Sequence, residues 1–84
     1  MTFNSFLKKK DFDSKISLLE NNIKNFLFDN NYEIDSKKVR NFVHWNHTIR
    51  DQKIVRMIYP NENCDTDLKK IVRNFIQIEF GGLE

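Results

Sequence analysis

The sequence predicts an all-α fold, a small bundle of three to four short helices. Two segments carry apolar residues at helical spacing, a helix-start signature stands at Asp35, and only two glycines and one proline are present to turn a sheet. An α+β alternative stands beside it, in which two outer helices pack on a hairpin formed within residues 39–59.

Residues 1–12 form a flexible or short helical lead-in, with Phe3, Phe6 and Leu7 at i, i+3, i+4 spacing. Residues 13–82 then make one small globular domain, and Leu83-Glu84 read as a vector-derived scar. The first clear helix is 14–28: Asp13 or Ser14 caps it, and Ile16, Leu19, Ile23, Phe26 and Leu27 share a face. Asp29-Asn30-Asn31 stops it with turn formers. The last helix is 66–79. Asp65, Thr66 and Asp67 place caps and negative charge at its start, Leu68, Ile71, Val72, Phe75 and Ile76 form its stripe, and Gly81 ends it.

The middle is harder to type. Residues 35–46 read as helical, with Asp35 as cap and Ile34 and Val39 placed as a hydrophobic staple. Residues 48–59 complete the bundle as a further helix. In the alternative, 39–45 and 53–59 are the two strands. The Val-Arg-Asn-Phe runs at 39–42 and 72–75 echo each other, but one recurrence does not make a repeat array.

Composition bounds the function. A chain of 84 residues buries only about 60–65% of its unfolded surface, so its eight Phe, nine Ile, two Tyr and one Trp are largely consumed by the core. Little remains to wall a substrate pocket, and the reading is of a protein that is not an enzyme, with no catalytic residues and no cofactor. Cys64 stands alone, so no internal disulfide forms. No apolar run reaches membrane-spanning length, and no signal peptide precedes the basic run Lys8-Lys9-Lys10, so the expected location is cytoplasmic, away from membranes. Eleven Asn, ten Lys and no Ala point to an AT-rich genome, such as a phage or mobile element of an AT-rich bacterium.

The function expected is a small protein-binding regulator, inhibitor or immunity-type factor, with homodimerisation a further expectation for so small a core. Trp45, Tyr32, Tyr59 and Arg40 are its interface candidates, because Trp, Tyr and Arg dominate interface hot spots. The alternative is a DNA-binding transcriptional regulator with a helix-turn-helix at about 36–59. Val43, Ile49, Ile54 and Met57 then lie inward, and Arg50, Gln52, Lys53 and Arg56 face DNA. His44 and Thr48 fit that motif poorly. A single-strand nucleic-acid platform, with Lys37, Lys38, Arg40 and Lys53 along a backbone, requires aromatic faces on an exposed sheet. His44, His47 and Cys64 fall short of a four-ligand metal site, so no metal is expected.

Overall fold

The computed structural model describes residues 3–5, 7–35 and 39–81. It corrects the all-α expectation. The chain is α+β: β1 (Phe3–Ser5), α1 (Lys9–Asp29), β2 (Val43–Arg50), β3 (Lys53–Pro60) and α2 (Thr66–Phe80). The three strands form an antiparallel sheet in the order β1-β3-β2. Residues 43–46, expected at the end of a helix, and 48–59, expected as a helix of their own, lie instead in a hairpin. Its first strand starts at Val43, four residues later than in the α+β alternative. Residues 36–38 of the expected central helix lie outside the described residues, as do 83–84.

Steric preference explains the hairpin. Val43 to Arg50 is Val-His-Trp-Asn-His-Thr-Ile-Arg, rich in β-branched and aromatic residues. Asp51 and Gln52 both adopt positive φ, 52° and 64°, as a two-residue type I′ connection demands. The register runs without a slip from Arg50↔Lys53 to Val43↔Pro60. The expected short helix in the lead-in is also corrected, because Phe3–Ser5 pairs with Ile58, Met57 and Arg56 of β3.

Helix α1 begins at Lys9, ahead of the expected cap, with no side-chain cap on Lys8. The earlier start brings Phe12 into the core, where it is fully buried with Leu19, Ile23 and Leu27. Helix α2 starts as its sequence signature requires: the Asp65 carboxylate accepts from the Leu68 N–H at 2.8 Å. Gly81 ends it in the left-handed region, φ 63°, donating its N–H to the Gln77 carbonyl at 2.8 Å.

The two helices run antiparallel on one face of the sheet. Near one end Lys15 donates to the Glu79 carbonyl and Phe12 meets Phe80, and Phe26 packs edge-on against Phe75 farther along. Leu68, Val72 and Ile76 of α2 join Phe42, Val43, Ile58 and Cys64 beneath them. Glu20 ties α1 to the start of β2, its carboxylate accepting from the Phe42 and Val43 N–H groups at 3.2 and 3.3 Å.

Candidate binding surface on the hairpin

Alternation along the strands sorts the hairpin's side chains into two sets. Trp45 and His47 of β2 lie opposite Ile58 and Arg56 of β3, and Ile49 lies opposite Ile54. All belong to the helix side, because Trp45 packs edge-on to Phe12 with centroids 5.0 Å apart and Arg56 lies over the same ring at 5.0 Å. His44, Asn46, Thr48 and Arg50 project to the other face, with Lys53, Val55, Met57 and Tyr59.

The helix layer stops near Phe12 and Phe80, level with Trp45 and Arg56, and the hairpin continues beyond it. Ile49 and Ile54 are therefore uncovered, 74% and 50% exposed, and Trp45 is 38% exposed at their base. Lys9, Trp45, His47, Ile54 and Arg56 line a crevice of about 270 Å³ at this boundary. Exposed Lys9 places a positive charge at the margin of this surface patch. Ile49 and Ile54 form an exposed apolar cross-strand pair, separated from Trp45 on the same face by the His47–Arg56 pair.

The interface candidates from the sequence do not converge. Trp45 lies in the patch, with one ring edge committed to Phe12. Tyr59 is on the opposite face, half-buried and stacked on His44 with centroids 6.0 Å apart. Arg40 is exposed in the segment before β2, beside a cleft formed with Glu20, Asn21 and Lys24. Tyr32 follows α1 and donates its hydroxyl to both Asp65 carboxylate oxygens at 3.2 Å, joining the end of α1 to the cap of α2. Burial first, and then the Asp65 hydrogen bond, raise its pKa above the ordinary 10.0.

The helix-turn-helix reading is overturned, because no recognition helix exists in 43–60. Three of its proposed DNA contacts fall together at the hairpin tip and not on a helix, and the fourth is committed elsewhere. Arg50 is at the end of β2, Gln52 in the turn and Lys53 at the start of β3. Arg56 is only 7% exposed and donates to the Leu7 carbonyl at 2.5 Å, which takes it away from any phosphate. The single-strand platform needs aromatic faces, but among the described residues the far face of the hairpin carries only His44 and Tyr59 as rings, stacked on each other, and Lys37 and Lys38 lie outside the described residues.

His44 and His47 project from opposite faces of β2, so their three-residue spacing, which would align them on a helix, separates them on a strand. Among the described residues no group of three or more His, Cys, Asp or Glu side chains could hold a metal ion. Cys64 is buried in the core, and burial first, with Asp65 next, raises its thiol pKa. Among the described residues no helix is long and apolar enough to cross a membrane.

Ile49 and Ile54, the most exposed members of the patch, were assigned to the interior of a helix-turn-helix from sequence. Period-two reading of Val43, Trp45, His47 and Ile49 would have placed them on one face. Comparison with protein-family models, curated proteins and solved structures finds no match to the chain.

Proposed function

We propose that this chain is a small, non-enzymatic protein-binding factor of the regulator, inhibitor or immunity type, working through the helix-side face of its hairpin tip. One observation carries the reading: Ile49 and Ile54 stand uncovered beyond the helices, with partly exposed Trp45 at the base of the same face and Lys9 at its margin. Fully burying an isoleucine stabilises by about 1.5–3 kcal/mol, so covering these two half-exposed or more exposed side chains supplies a useful share of a binding energy. The partner surface that fits is apolar at its centre and acidic around it.

The disposition of reactive groups supports a binding role over a chemical one. Cys64 packs in the core, Asp65 caps α2, and the two imidazoles face apart. The AT-rich residue bias fits a factor from a phage or mobile element of an AT-rich bacterium, and a cytoplasmic location is part of the same proposal.

The test compares capture from host lysate by tagged wild-type chain and by Ile54→Asp. Ile54 is half exposed and lies away from the free edge of β2, so the fold should tolerate the carboxylate. The expected result is one stoichiometric partner held by the wild type and lost from the variant. Equal retention by both proteins would remove the patch from the function.

A further inference from the structure

The hairpin has a second unpartnered feature, its main chain. β3 is central, so β2 is an edge strand. In an antiparallel hairpin closed by two residues, Arg50 and Lys53 exchange both backbone bonds, and the pattern alternates from there. His44, Asn46 and Thr48 thus point their N–H and C=O groups at β3, whereas Val43, Trp45, His47 and Ile49 point theirs outward. The Val43 N–H confirms the phase, since it is taken by Glu20 Oε1 at 3.3 Å and sits opposite Pro60, which has no N–H. For Trp45, His47 and Ile49, no backbone partner beyond the hairpin is found among the described residues.

Edge strands are normally blunted by shortness, proline, lysine or a bulge. The opposite edge, β1, is three residues long. β2 is eight residues long, with an uninterrupted register and no Pro, Lys, Asp or Glu from Val43 to Arg50.

We infer that the free edge of β2 pairs antiparallel with β2 of a second copy of this chain, about a two-fold axis at His47. The inference rests on the hairpin's main chain and engages Trp45 and Ile49 of the side-chain patch, leaving Ile54 to the function proposed above. In this register His47 faces its own counterpart, and Trp45 and Ile49 each face the other residue of the second copy. Every outward amide and carbonyl from Trp45 to Ile49 is then satisfied. The most exposed isoleucine of the sheet meets the exposed part of the indole, and Asn46 meets Thr48 on the other face. Arg50 lies opposite His44 and not opposite another Arg50. Moving the axis to Asn46 would instead call on the Val43 N–H, which Glu20 occupies, and would place Ile49 against Val43, which is already buried. A core this small gains stability by such pairing.

Sedimentation equilibrium of the purified full chain over a concentration series tests this. The wild type should run as a monomer–dimer equilibrium. His47→Pro removes an outward N–H while leaving the bonds to β3 intact, so it should be monomeric with an unchanged far-UV spectrum. Should His47→Pro unfold, Ile49→Lys supplies the test: an edge lysine opposite Trp45 should weaken dimerisation by about tenfold or more. A monomer at every concentration, or a dimer indifferent to a folded edge variant, overturns the inference. A monomeric chain that still captures a partner through Ile54 would overturn the dimer alone. A β2-dependent dimer that captures nothing would uphold it and count against the proposed function.

Discussion

Phe12 joins the helices to the hairpin, and replacing it with leucine probes that junction. The ring is fully buried, edge-on to Trp45 at 5.0 Å, tilted against Phe80 at 5.8 Å, and beneath the Arg56 guanidinium at 5.0 Å. Leucine keeps most of the apolar burial and loses the ring-specific terms. An aromatic pair is worth about 0.5–1.5 kcal/mol beyond its area, and a largely desolvated cation–π contact about 1–2 kcal/mol. The expected loss is therefore about 2–3 kcal/mol, with alanine costing about 3–5 kcal/mol. For a urea slope of about 1–3 kcal/mol per molar, leucine should lower the midpoint by about 0.7–3 M. Trp45 is the only tryptophan, so its emission follows unfolding directly, and loosening its ring contact should also shift native emission to the red. Phe28→Leu, at a side chain 84% exposed, is the control and should change stability by less than about 0.5 kcal/mol. A Phe12→Leu midpoint matching the control would refute the assignment of Phe12 as the junction.

Asp65→Ala removes the cap of α2 and the acceptor of the Tyr32 hydroxyl, and should cost about 1–3 kcal/mol by urea unfolding, while Asp65→Asn keeps most of the cap. The raised pKa of Tyr32 means that the folded state holds the phenol proton more tightly than the unfolded chain does. Its contribution is thus intact below the ordinary 10.0 and is lost as pH climbs through the higher folded-state value; Tyr32→Phe should flatten this alkaline decline in a series of denaturation curves. Cys64, buried and with its thiol pKa raised, should resist a thiol-reactive reagent in the native protein and react fully in denaturant.

The outer helices were legible because local signals and tertiary burial agree there. Leu68, Val72 and Ile76 fall on the predicted stripe, and Asp65 and Gly81 bound α2 through the side-chain and backbone conformations their types favour. The middle misled for identifiable reasons. The turn is Asp51-Gln52, and glutamine at positive φ gives none of the glycine signal that marks a two-residue hairpin. His47 and Arg56 interrupt the apolar alternation on the helix side, although Arg56 lies buried against Phe12. Helical spacing of Val39, Phe42 and Val43 arises where a loop delivers its last residues to the core. At the candidate surface, Trp45 was legible as an anchor, but Ile49 and Ile54 were not, because their exposure depends on where α1 and α2 stop.

Amide hydrogen exchange resolved by residue along β2 tests the central claim, that this segment is an edge strand with one bonded and one open side. In dilute solution the His44, Asn46 and Thr48 amides should be protected, while Trp45, His47 and Ile49 exchange rapidly; the latter three should slow together as protein concentration rises. Continuous protection through 44–49 in dilute solution, independent of concentration, would contradict the account.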